Sequence, residues 1–249
     1  MNILMLSWEY PPISHGGLSR HVEDLSEALS RKGHKIHIVT SGAEGLELDE
    51  EKNGVYIHRS SAVKIDASNF IESINHLNFQ LSSKAIEVIH EYGDFDLIHA
   101  HDWLVFWASK VLKDSFKLPL IYTIHATEHG RNQGIHNSTQ SYINDVEWYS
   151  TYEAWKVIVC SYYMKYEVQR LFHLPDDKLA VINNGVDPEK FNTEVEDGFK
   201  DNFAHENEKI IFYVGRIVRE KGVQYLLRAF SIILHDMPEV KLVIAGKGP

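Results

Sequence analysis

The first forty residues constrain the fold more than any other part of the chain. Ile3 to Leu6 form a short apolar run suited to a strand buried on both faces. A loop with Pro11, Pro12, Gly16 and Gly17 follows. Leu18, Val22, Leu25 and Leu29 then recur at spacings of four, three and four, which places them on one helix face. Gly33 ends that helix, and Ile36, Ile38 and Val39 give a second strand. Strand, helix and strand in so short a stretch make a βαβ unit, and such units build parallel sheets.

The alternation continues. Strands are predicted at 55–58, 97–100, 120–124, 155–160 and 179–182, and helices at 70–92, 104–113, 138–151 and 163–172. The pattern predicts one α/β, doubly wound, parallel-sheet Rossmann-like domain over residues 1–187. Residues 188–208 are polar and acidic and read as a connector. A strand at 210–214, a helix at 223–234 and a strand at 240–245 then give the first βαβ unit of a second Rossmann-like domain, 209–249. Two strands and a helix enclose no core of their own. The second domain is therefore expected to be a beginning without its remainder, cut at Pro249. Its apolar faces are expected to be poorly ordered or covered by another chain or by the first domain.

Composition narrows the function. Hydrophobic residues make up 44% and charged residues 24%, the balance of a globular protein. The 25 Lys+Arg against 35 Asp+Glu give a net charge of −10, which disfavours nucleic acid and anionic membrane as general partners. The single Cys160 excludes an intrachain disulfide and a multi-cysteine zinc module. No apolar run reaches the roughly 18 residues of a membrane span. The start, Met1-Asn2-Ile3-Leu4-Met5, lacks the basic lead of a secretory signal, so a cytoplasmic location is expected.

Open α/β sheets bind ligands at the carboxyl ends of their strands. Ser14, His15, Gly16 and Gly17 follow the first strand. His101 and Asp102 follow the strand at 97–100. His125, Thr127, Glu128 and His129 follow the one at 120–124, and Asn183, Asn184 and Gly185 the one at 179–182. Gly16-Gly17 opens a helix, where bare backbone and the helix N-terminus suit an anion, although a tight turn would also use the pair. Arg216 and Lys221 suit a diphosphate, although an ordinary charged loop looks the same. The loop holds no G-x-G-x-x-G, and the chain has no G-x-x-x-x-G-K-[ST]. Asp94-Phe95-Asp96 falls at the wrong strand end for a metal. His99 and His101 share a strand face and with Asp102 could ligate zinc, but a complete set would need distant partners such as His125. No metal is expected. Trp148 and Tyr152, between Glu147 and Glu153, are expected in the core in preference to sugar stacking, and Cys160 as a small buried residue.

The chain resembles the retaining nucleotide-sugar glycosyltransferases of the GT-B fold, particularly bacterial and archaeal glycogen and starch synthases. The matching pieces are Glu9-Tyr10-Pro11-Pro12, Gly16-Gly17-Leu18, His99-Ala100-His101-Asp102-Trp103, Thr123-Ile124-His125-Ala126, Asn184-Gly185-Val186-Asp187, and Val214-Gly215-Arg216 with Lys221-Gly222. Their order and spacing match throughout the chain.

The resemblance implies a metal-independent hexosyl transfer with retention. The donor would be ADP-glucose or UDP-glucose and the acceptor the end of an α-1,4-glucan. Gly16 and Gly17 would face the donor diphosphate, and His125 the transferred sugar. Asp102 would lie on the acceptor side and Asn184 near the sugar. Arg216 and Lys221 would clamp the leaving group. Two departures stand out. Ser14 occupies a position often held by lysine in the glycogen synthases. The family's two glutamates eight positions apart are absent, so the chain alone is expected to have little transferase activity. A GT-B transferase making a disaccharide, sugar phosphate or glycolipid is the first alternative. A non-catalytic sugar-binding module is the second. Donor base, acceptor and oligomeric state stay open.

Overall fold

The computed structural model describes residues 1–64 and 66–248. The chain divides into two units, Met1–Val186 and Asp187–Pro249, each described by itself. The first is built in chain order from β1 (Asn2–Leu6), α1 (Gly17–Arg31), β2 (Lys35–Gly42), β3 (Asp49–Lys52), β4 (Val55–Ala62), α2 (Phe70–Tyr92), β5 (Leu97–His101), α3 (Phe106–Phe116), β6 (Leu120–Ile124), α4 (Glu128–Asn132), α5 (Ser138–Glu153), β7 (Lys156–Val159), α6 (Tyr162–Phe172) and β8 (Leu179–Val181). One sheet takes all eight strands in the order β3-β4-β2-β1-β5-β6-β7-β8. Every pairing is parallel except β3 with β4.

β1 decides the architecture. Ile3 pairs with Ile36 on one side and Leu97 on the other. Alternate residues of this strand belong to two different cores. Leu4 and Leu6 pack with Leu77 and Leu81 of α2 and Phe106 of α3, while Ile3 and Met5 pack with Val22 of α1 and with Ile36 and Ile38. A strand buried on both faces must be apolar at every position, as this one is. Burying each such side chain contributes about 1.5–3 kcal/mol. The strand order reverses between β1 and β5, and sheets of this kind bind ligands beside such a reversal, at the carboxyl ends of the strands.

Three features depart from the sequence expectations. β3 has no apolar alternation. It forms because Glu50 sits opposite Ile57 and its charges find partners: Asp49 meets His58 and Lys84 at 2.7 and 2.8 Å, and Glu50 meets Arg59 at 2.6 Å. Such a charged edge discourages further strand pairing. Ahead of α3, Trp103–Val105 form a separate turn of 3-10 helix, so the α-helix starts at Phe106. Finally, Trp148 and Tyr152 are not core residues. They are 47% and 64% exposed, with rings stacked at 5.8 Å, because α5 turns Val146 and Ser150 inward instead.

In the second unit, β9 (Lys209–Val214), α7 (Val223–Asp236) and β10 (Val240–Ala245) form a parallel βαβ unit in which Ile211 faces Leu242. Phe212, Val214, Tyr225 and Ile232 are exposed on it. Gly246 is sterically required, since a Cβ there would lie 1.9 Å from the Gly215 carbonyl oxygen. The stretch ahead of β9 holds short 3-10 turns at Pro188–Phe191 and Phe199–Asn202. The expected cut at Pro249 falls on a residue outside the described ones. No helix among the described residues is long and apolar enough to cross a membrane.

Candidate functional site

The loop after β1 is held by Glu9. This carboxylate is buried, and its oxygens accept the amides of His15 at 2.5 Å and Ser19 at 3.1 Å. The N-cap of α1 is Gly16, which offers no side chain, so Glu9 supplies the cap and a negative charge at the positive end of the helix. Arg59, itself buried, donates to the Pro11 carbonyl at 3.0 Å and ties the loop to β4. Ser14 accepts a hydrogen bond from the Ser19 hydroxyl at 2.7 Å.

Gly16 and Gly17 themselves stand in open space. A Cβ on either would meet nothing within 4 Å, and Gly16 has an extended φ of −168°, open to any residue. Neither packing nor backbone conformation of the chain demands glycine here. Their amides have no partner among the described residues. A group approaching from outside accounts for both observations.

Asp102 ends β5 with φ +61°. Its amide donates to the Thr123 carbonyl at 3.0 Å, which locks it to β6. Its Oδ1 accepts the His125 amide at 2.9 Å, and its Oδ2 lies 3.7 Å from the Arg131 guanidinium. Arg131 is carried by α4, whose N-cap Thr127 accepts the Gly130 amide at 2.9 Å. The Glu128 amide donates to both oxygens of Glu147, at 2.9 and 3.0 Å. Burial pushes the Glu147 carboxyl up to about 8, against the pull of that amide and of Arg131.

His125 meets three neighbours. Its Nε2 is 3.2 Å from His101 Nδ1, its ring lies 4.6 Å from that of His21 on α1, and its Nδ1 is 3.9 Å from Cys160 Sγ. His99 lies behind, 2.8 Å from the Thr123 hydroxyl. Burial lowers all four imidazoles: His21 to about 4, His99 to about 3, His101 well below its ordinary value and His125 also downward. At neutral pH these rings are uncharged, each with one nitrogen that donates and one that accepts. Burial raises the Cys160 thiol, while a hydrogen bond with the Asn184 side chain lowers it. Asn184 thus reaches the histidine cluster through Cys160.

Four of the residues expected from sequence fall beyond the carboxyl ends of the strands: Gly16 and Gly17 at the start of α1, Asp102 beyond β5 and His125 beyond β6. Asn184 joins through Cys160. Arg216 and Lys221 belong to the second unit, exposed in its β9–α7 loop, where Lys221 ends a 3-10 turn one residue before the Gly222 N-cap of α7. The zinc set considered from sequence does not assemble, because His99 is engaged by Thr123 and Asp102 by the His125 amide. His21 and Arg131 were not anticipated. His21 follows Leu18 by three residues and adjoins Val22, so the helix periodicity that set the core face also placed it at that face's margin.

Residues 15–190 match Glycosyltransferase Family 4, and residues 194–249 match Glycosyl transferases group 1. An uncharacterized glycosyltransferase of Methanocaldococcus jannaschii is 37% identical over the whole of this chain and 63% of its own length. A glycogen synthase of Mycobacterium tuberculosis is 31% identical over the whole chain and 62% of its own length. The chain thus spans somewhat over three-fifths of these curated relatives. The sucrose-phosphate synthase of Thermosynechococcus elongatus superposes on 98% of this chain and 61% of its own, with a TM-score of 0.79 at 22% identity, a likeness of fold. The topology and these matches make the chain a member of Glycosyltransferase Family 4, with the GT-B fold.

Proposed function

We propose that the chain takes part in transferring glucose, with retention, from ADP-glucose or UDP-glucose to the end of an α-1,4-glucan. The observation that carries this reading is the Gly16-Gly17 turn: open space, unpartnered amides and a helix N-terminus, one helical turn from His21 and so from His125. The free glycine amides and the helix N-terminus offer donors to a diphosphate, alongside the Glu9 carboxylate that caps the same turn. Breaking the anomeric bond leaves negative charge on that diphosphate, and fixed amides stabilise it as it develops. In this reading Arg216 and Lys221 add two cations to the leaving group. His125, neutral and held by Asp102, contacts the sugar hydroxyls. Asn184 shapes the crevice near the sugar. No side chain acts as a covalent nucleophile, the acceptor proton goes to a phosphate oxygen, and the transfer uses no metal.

The test is incubation with nucleotide sugar carrying labelled glucose, with glycogen, maltooligosaccharides and small sugar phosphates as competing acceptors. Label entering longer glucan chains supports the reading. Ser14, standing where the glycogen synthases often carry lysine, favours a second one: transfer to a small acceptor. Label on a disaccharide or sugar phosphate would establish it. Little transfer is expected of this chain alone, so the result that would defeat both is absence of calorimetric binding of the nucleotide sugars and of maltooligosaccharides alike.

A further inference from the structure

We infer that His21, His101 and His125 form a binding site for a divalent transition cation of the zinc class, and that the bound ion excludes the transferred sugar from His125. The binding rests on the three imidazoles alone. The exclusion rests on the role proposed above for His125.

One ring nitrogen from each of these residues lies within 4.8 Å of the other two. His101 Nδ1 and His125 Nε2 are already 3.2 Å apart. Two nitrogens bound to one tetrahedral ion at 2.0–2.1 Å stand about 3.3 Å apart, so this pair needs no adjustment. His21 must approach by at most roughly 1.5 Å to complete the triangle. It is only half-buried, on the first turns of α1, so rotation of its side chain can supply that movement. His101 is fully buried, and His21 and His125 are partly exposed, so an ion would enter from the side of those two.

His101 Nδ1 and His125 Nε2 face each other and share one hydrogen, and a cation between them would take both lone pairs in its place. His101 would then carry its proton on Nε2, which is buried and has no hydrogen-bond partner among the described residues. The His125 proton then sits on Nδ1, which points at Cys160 Sγ 3.9 Å away, the outer contact that fixes the tautomer of a ligating histidine. Ligation needs neutral imidazoles, and burial keeps these rings neutral at neutral pH.

The donor set also selects the ion. Three imidazoles and no carboxylate suit zinc, cobalt, nickel or copper, and not magnesium or calcium. Asp102, the acid that acts on His125, is turned to the His125 amide and Arg131, and Asp24 lies one turn along α1 from His21. An ion held here sits against His125 between its ring and those of His21 and His101, and the exclusion follows from the sugar-contacting role proposed above for that ring.

The experiment uses the untagged protein at neutral pH. Cobalt is titrated and its tetrahedral visible absorption recorded, and zinc is then measured by competition with a chromophoric chelator. One ion per chain is expected, with no displacement by excess magnesium. His21→Ala should weaken zinc at least about tenfold, with melting temperature checked alongside. His21→Cys, which restores a ligand, should recover affinity and add a sulfur-to-cobalt charge-transfer band. That band also localises the ion if the alanine variant unfolds. Absence of the cobalt spectrum in the wild type would overturn the site. So would unchanged zinc affinity in a folded His21→Ala protein, because the ion would then sit at other histidines. Zinc that binds stoichiometrically without weakening nucleotide-sugar or maltooligosaccharide binding would overturn the exclusion and keep the site. Because the cobalt signal requires no transfer activity, failure of the proposed reaction is read separately.

Discussion

The Asp102 carboxylate accepts the backbone amide of His125 at 2.9 Å, joining the carboxyl ends of β5 and β6. The bond fixes the peptide that aims the His125 ring and leaves the second Asp102 oxygen toward Arg131. Asp102→Ala removes a charge-assisted acceptor of the kind that contributes about 1.5–3 kcal/mol, and it forces a Cβ residue without local hydrogen bonding to hold φ +61°. Sugar binding or transfer should fall roughly ten- to hundredfold. Asp102→Asn keeps an acceptor and tolerates the left-handed backbone, so it should lose less. Calorimetry on both variants checks the order, and equal losses would show that charge alone matters.

Gly17→Ala separates ligand binding from folding. Its Cβ meets nothing in the chain, and alanine at the start of a helix costs less backbone entropy than glycine. Stability should stay the same or rise by up to about 1 kcal/mol, while affinity for a nucleoside diphosphate falls. A melting curve and a UDP or ADP titration read both. A loss of stability would return the pair to the role of a structural turn.

His99 makes the first unit sensitive to acid. Burial holds it near 3, against an ordinary 6.5. Between these values the unfolded chain binds a proton that the folded chain does not. The stability from keeping the ring neutral is complete above about pH 6.5 and is lost as pH falls toward about 3. Each such proton contributes a slope of about 1.4 kcal/mol per pH unit. His21, His101 and His125 act in the same direction. Urea unfolding across this range should show the decline, and His99→Gln, which keeps a donor for Thr123, should reduce the slope by one proton.

Glu147 acts in the opposite sense. Its folded value is raised to about 8 from 4.5, chiefly by burial. Its contribution is complete below about pH 4.5 and is lost as pH rises through about 8. Glu147→Gln retains an acceptor for the Glu128 amide and carries no charge to bury. It should exceed the wild type in stability by at least about 1 kcal/mol near pH 8 and match it near pH 5. A variant equally weakened at both pH values would show that the carboxylate is needed as such.

Much of the fold was legible in sequence because it is local. The apolar run of β1, the spacing of Leu18, Val22, Leu25 and Leu29, and the 70–92 periodicity each report a strand or helix face. The α2 limits coincide with the expectation for that reason. β3 was not legible, since Asp49-Glu50-Glu51-Lys52 becomes a strand only by pairing with β4 and by ion pairs to residues far along the chain. Trp148 and Tyr152 were misplaced because aromatic content gives no direction until α5 is docked. Asp102 and His125 could be named from their places after strands, yet nothing in the chain order shows that one carboxylate holds the other's amide. His21, His101 and His125 lie on three separate elements. Sequence by itself determined the alternating strands and helices and which residues end the strands. The tertiary structure alone decided which of those ends meet, because that depends on strand order and helix docking, set by packing between residues distant in the chain.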